Sequence, residues 1–76
     1  MNLYRSIELA DGKQITIILQ NNYLKSFYHN WPLLSYIMKT STCINIYHDN
    51  NSETLLSKIQ VYLDEKNIKF TISKLT

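Results

Sequence analysis

The chain has 76 residues, of which 45% are hydrophobic and 18% charged, and a formal net charge of +2. That balance belongs to a globular domain rather than a disordered one, and the charge is too small to argue by itself for a nucleic acid or a membrane surface. The length predicts a single small domain over residues 1–76. Such a chain buries only roughly 60% of its unfolded surface, so dimerisation or a partner complex would add useful stability.

The single cysteine, Cys43, excludes an internal disulfide framework and fits a reducing compartment. Asn2, Tyr4, Arg5, Ser6 and Glu8 break any apolar run at the start, so no signal peptide is expected. No stretch approaches the roughly 18 apolar residues of a membrane span. The expectation is a soluble cytoplasmic protein with no membrane contact. Ile, Asn, Lys and Tyr supply 10, 8, 7 and 6 residues, whereas Gly, Pro, Ala and Arg supply one each. This bias reflects AT-rich codons. It suits an AT-rich bacterium, phage, plasmid or genomic island, and carries no functional information.

Taken in chain order, the first two elements are strands. Tyr4–Leu9 and Gln14–Leu19 alternate apolar and polar residues, which marks one buried and one wet face. A two-residue Asp11-Gly12 turn would set Leu9 opposite Gln14 and so mismatch the faces. A three-residue loop, Ala10-Asp11-Gly12 with Gly12 left-handed in a bulge, pairs Ile7 with Ile15 and Leu3 with Leu19 and keeps the faces consistent. Arg5 then lies opposite Ile17 and must snorkel or find a partner. A helical region follows, capped by Asn21 or Asn22. Leu24, Phe27, Tyr28, Trp31, Leu34 and Met38 form its apolar stripe. Pro32 divides it into two predicted helices, about Asn22–His29 and Trp31–Lys39.

A third alternating strand, Cys43–Tyr47, leads into a polar loop and a helix whose start at Asn50, with Glu53 three residues on, is capping-box-like. Leu55, Leu56, Ile59, Tyr62 and Leu63 mark its apolar face, Asn67 its end, and Ile68–Ser73 the fourth strand. Strand, helix and strand within about 30 residues predict a parallel crossover unit. The predicted fold is α/β (α+β being the variant): a two-layer sandwich of order ββαβαβ. Its four-stranded, mostly parallel sheet runs 1-2-3-4, with the helices on one face and the first strand antiparallel.

The wet face would carry Tyr4, Ser6, Glu8, Gln14, Thr16, Ile18, Gln20, Asn45, Tyr47, Lys69, Thr71 and Ser73. Exposed aromatics beside short hydroxyl and amide side chains suit a protein interface. They could also stack on single-stranded RNA bases. Lys69 supplies nearly all of the positive charge there, Glu8 opposes it, and no RNA-recognition consensus is present.

At the carboxyl ends of the strands, where open sheets bind ligands, stand His48, Asp49, Asn50, Asn51 and Ser52. His48, Asn51 and Ser52 are a candidate anion site at the start of the last helix. His48 as base, Ser52 as nucleophile and Asp49 as orienter would make a small hydrolase. Asn and Ser are equally what a loop and helix cap require. His29, Cys43 and His48 lack metal-ligand spacing, and no cofactor motif is present. Lys58, Lys66 and Lys69 read as solvated charge, with Lys66 favourable at a helix C-terminus.

The stretch Ile44–Lys74 resembles a generic thioredoxin-type half, and Leu63–Phe70 is similar in cadence to the helix-to-strand passage of glutaredoxins. Those proteins carry Cys-x-x-Cys where this chain has Asn50-Asn51-Ser52-Glu53, so thiol redox activity does not transfer. The element order also resembles anti-sigma-factor-antagonist (STAS) domains. That resemblance implies a non-enzymatic interaction switch, with Ser52 in the place of a regulatory serine. The expected function is a small non-enzymatic protein-binding module: an inhibitor, immunity or regulatory protein of mobile-element origin. It would act by steric occlusion through the open sheet face or a sheet edge, with a protein or a second copy (homodimer) as partner. The alternatives are the RNA-binding module and the hydrolase.

Overall fold

The computed structural model describes residues 7–9, for their backbone alone, and 14–75. Its elements are β1 (Ile7–Leu9), β2 (Gln14–Leu19), a 3-10 turn (Asn21–Tyr23), α1 (Leu24–His29), α2 (Trp31–Lys39), β3 (Cys43–His48), α3 (Glu53–Glu65) and β4 (Lys69–Lys74). The protein is mixed α/β. Strands β2, β3 and β4 run parallel in one open sheet, with β3 between the other two.

Alternation places the core. Ile15, Ile17, Leu19, Ile44 and Ile46 cluster with Phe27, Leu34, Met38, Leu55, Leu56, Ile59 and Leu63. Successive strand side chains point to opposite faces, so the five strand residues share one face and the helices cover it. Within the predicted stripe, Phe27, Leu34 and Met38 are buried, whereas Tyr28 is 44% exposed. Asn30 ends α1 and begins α2, and Pro32 stands in the first turn of α2, where its missing N–H costs nothing.

The backbone of β1 pairs antiparallel with β2, Ile7 with Ile17 and Leu9 with Ile15. This corrects the expected pairing of Ile7 with Ile15. The two registers differ by two residues, and a shift of two leaves every side chain on the same face. Hydrophobic alternation therefore fixes register only up to steps of two. The loop Ala10-Asp11-Gly12, Arg5 and the Leu3–Leu19 pair fall outside the described residues.

The helix starts also differ from expectation. Neither Asn21 nor Asn22 caps α1, whose N-cap is Tyr23 with no side-chain bond. The N-cap of α3 is Ser52, not Asn50, and its hydroxyl does not cap the helix either. The end of α3 is more conventional. The Ile68 amide donates to the Leu63 carbonyl (3.0 Å) and the Asn67 amide to the Asp64 carbonyl (3.2 Å), while Asn67 has φ 56°. These two bonds and a left-handed residue make a Schellman stop. Ile68 is thereby drawn onto the core as a partly buried residue rather than the first residue of β4. Asn67→Ala is expected to lower stability by about 1 kcal/mol, because a Cβ without a locally bonding amide is disfavoured there. Asn67→Gly should be at least as stable as the parent. Thermal melts of the two variants check the pair.

Candidate functional site

The face opposite the helices is organised in rows by the parallel register. Gln14, Cys43 and Lys69 form one row, Thr16, Asn45 and Thr71 the next, and Ile18, Tyr47 and Ser73 the third. Thr71 Oγ1 donates to Asn45 Oδ1 at 2.9 Å, fixing the amide across two strands. Tyr47 is 39% exposed and Ile18 is half-buried beside it. No described helix covers this row, because the buried helical residues all join the core on the other face. Lys69 and Thr71 are exposed, and Thr16 and Asn45 half-buried. Of the remaining predicted face residues, Tyr4 and Ser6 lie outside the described residues. Glu8 is described only by its backbone, which pairs with Thr16.

The strand-end loop is built around Asp49. Asp49 Oδ2 accepts the Asn21 amide at 2.8 Å, the first residue of the 3-10 turn. Asp49 Oδ1 accepts the Asn51 amide at 3.0 Å and the Ser52 hydroxyl at 2.6 Å. Ser52 Oγ also lies 3.1 Å from the Leu19 carbonyl, so its one proton sits between two acceptors, the carboxylate being the nearer and the charged one. The Leu19 carbonyl accepts the Asp49 amide as well, at 3.0 Å. Asp49 thus ties the end of β2 through its amide, and the turn before α1 and the approach to α3 through its carboxylate. Its partners precede the helices: the Asn21 amide of the 3-10 turn, and the Asn51 amide and Ser52 hydroxyl just ahead of α3.

These bonds to the anion explain its titration. The Ser52 hydroxyl above all, then the Asn21 amide, with lesser help from the Asn51 amide and nearby His48, hold the Asp49 carboxyl below the usual aspartate range, against the opposing effect of partial desolvation. The expected anion site, His48, Asn51 and Ser52, thus has the Asp49 carboxylate beside it. Asp49 already takes the Asn51 amide at the entrance to α3, and Glu53 adds a second negative charge in the first turn.

The hydrolase constellation is not assembled among the described residues. Ser52 is 1% exposed and gives its proton to Asp49 or Leu19, not to His48. His48 instead bonds the Asp49 backbone carbonyl through Nδ1 at 3.0 Å. A carbonyl only accepts, so that nitrogen carries the proton. Cys43 and His48 sit at opposite parity on β3 and hence on opposite faces. The described residues contain no group of three His, Cys, Asp or Glu placed to hold a metal ion.

Between α2 and α3 lies a seam whose details the sequence reading missed. Trp31 and Tyr62 meet edge to face, with centroids 5.9 Å apart at 84°. The Tyr62 hydroxyl donates to the Ser35 carbonyl at 3.1 Å. Lys58 Nζ stands 4.5 Å from the Trp31 ring centre and Lys66 Nζ 5.9 Å from that of Tyr62. Two lysines read as solvated charge are thus placed over ring faces. The four-residue spacing of Tyr62 and the C-cap Lys66 is the signal that could have shown the second contact, whereas Lys58 over Trp31 joins two helices and has no local signal.

Among the described helices none is long and apolar enough to cross a membrane. No protein-family model, no curated protein and no solved structure matches this chain.

Proposed function

We propose that the protein is a small non-enzymatic protein-binding module that docks a protein partner on the open sheet face, acting as an inhibitor, immunity or regulatory subunit. The observation that carries this reading is the row of Ile18 and Tyr47, an apolar pair held flat on a sheet that no described helix covers. An aromatic anchor with an aliphatic neighbour, ringed by Thr16, Asn45, Thr71 and Ser73, has the make-up of an interface centre within a polar rim. The Thr71–Asn45 bond orders part of that rim before binding, which lowers the entropic cost of association. In this reading the sheet has four strands in the order 1-2-3-4, and the pairing of Ile7–Leu9 with Ile15–Ile17 supports it. The face then continues onto β1, where the backbone of Glu8 pairs with Thr16.

Affinity capture from the protein's own host, with wild-type bait and a Tyr47→Ala bait compared, tests the proposal. Loss of an aromatic anchor is expected to cost about 2 kcal/mol, roughly 30-fold in affinity. A stoichiometric partner should appear with the wild type and be strongly depleted with the variant, while the circular dichroism of the two baits stays the same. A partner retained equally by both baits removes this face from the mechanism.

A further inference from the structure

Strand β4 has β3 on one side and, among the described residues, no strand on the other. The Leu75 amide donates to the His48 carbonyl at 2.7 Å, and His48 pairs with Lys74. In a parallel ladder the residues flanking the paired position turn their backbone groups inward. Lys69, Thr71, Ser73 and Leu75 therefore face β3, and Phe70, Ile72 and Lys74 present their N–H and C=O groups outward. Phe70 and Ile72 are also the two residues of β4 that pack on the core while remaining only partly buried.

We infer that this edge pairs with the same edge of a second copy, antiparallel and about a two-fold axis at Thr71. The register is chosen by physical constraints. Consistent faces require paired positions of equal parity, so the axis must pass through a residue. An axis at Thr71 sets Phe70 opposite Ile72 of the other copy, and both have outward backbone groups, so each pair closes with two hydrogen bonds. Lys69 falls opposite Ser73 and no two lysines oppose each other. An axis at Ile72 would put Phe70 opposite Lys74, and one at Phe70 would shorten the paired stretch.

Charge supports the same choice. Lys74 shares the helix side of the sheet with Leu19 and His48. In this register it comes opposite Ile68 of the other copy, beside the last turn of that copy's α3. That turn carries Asp64, Glu65 and the negative end of the helix dipole, while the C-cap Lys66 reaches over the Tyr62 ring. The flank of α3 turned away from Tyr62 and α2 carries Leu56 and Gln60, and it would close over the joined edges. Two small cores become one continuous sheet and the unpaired edge disappears. The open face stays free on both copies, so this inference does not rest on the partner-docking proposal.

The test combines mass and register. Light scattering on the eluting protein should give twice the chain mass of 9.0 kDa. Ile72→Pro removes an N–H that β3 does not use, so the variant should keep its circular dichroism yet elute as a monomer. In a Cys43→Ala background, Thr71→Cys should oxidise to a covalent dimer at least tenfold faster than Ser73→Cys. The Thr71 positions would face each other at roughly 4.5 Å between Cα atoms, within disulfide reach. A monomeric mass at millimolar concentration overturns the inference. So does a dimer that folded Ile72→Pro leaves intact, or cross-linking no faster at position 71 than at 73. If Ile72→Pro fails to fold, the two cysteine variants still decide. Partner capture through Tyr47 can fail while the dimer stands, and the reverse, so the two proposals are separable.

Discussion

Phe27→Ala is expected to remove about 3–5 kcal/mol of stability, the usual cost of emptying a fully buried aromatic site. Phe27 is 0% exposed and lies in a six-residue helix. A helix so short does not hold itself together and depends on the contacts of its apolar face. A chain of this length has a total stability of about 4–11 kcal/mol, so the variant should lose roughly a quarter of it or more. In urea, with a slope near 1 kcal/mol/M, the midpoint should fall by about 3–5 M. Tyr28→Ala is the paired control. Tyr28 belongs to the same predicted stripe but is 44% exposed, and its truncation should cost less than about 1 kcal/mol. Equal losses at both positions would mean that the phase of α1 against the sheet is wrong.

The second large effect is expected at the Asp49 clamp. Ser52→Ala leaves the Leu19 carbonyl with one donor fewer and deletes the shortest bond to the carboxylate. For a residue 1% exposed this should cost about 1–3 kcal/mol. Asp49→Asn should also destabilise, because an amide oxygen replaces a carboxylate that accepts three donors. The double variant should lose less than the sum of the two, since both substitutions cut the same bond.

The pH dependence follows from the sign of the shift. The folded carboxyl is held below its unfolded value, so the unfolded state binds the proton first as the pH falls. The contribution of Asp49 is fully present well above about pH 4. It is lost as the pH drops through that value and on through the lower folded value. Denaturant titrations between about pH 2 and 7 should show a steep acid limb in the parent and a shallower one in Asp49→Asn. Parallel limbs in the two proteins would mean that the clamp is not formed in solution.

The proposed site divides along the same physical line as the fold. Alternation in Gln14–Leu19, Cys43–Tyr47 and Ile68–Ser73 was enough to put Thr16, Ile18, Asn45, Tyr47, Lys69 and Thr71 on one face. A strand has a period of two wherever it sits. Which of them stand side by side was not legible, because adjacency depends on how parallel strands are staggered. The Thr71–Asn45 bond and the Ile18–Tyr47–Ser73 row exist only once the register is set. The polar loop was legible as a loop and illegible as a clamp. Asn50, Asn51 and Ser52 suggested local caps, but the acceptor that ties Asn21 to that loop comes from Asp49, 28 residues away.

By itself the sequence determined what repeats at short range. It set the strand faces, the break between α1 and α2 at Asn30 and Pro32, the stop of α3 at Asn67, and the apolar stripes that had to find one another. Such features depend on backbone preference and on solvent excluding apolar area within a few residues. The tertiary structure alone decided the β1 register, the exposure of Tyr28, the placement of Lys58 and Lys66 over aromatic rings, and the use of Asp49 as an acceptor shared by two loops. Each of these compares alternatives that are equivalent locally: a shift of two residues, a position at the border of a stripe, a lysine in water or on a ring, a near or a distant acceptor. Only packing the elements against one another separates their energies.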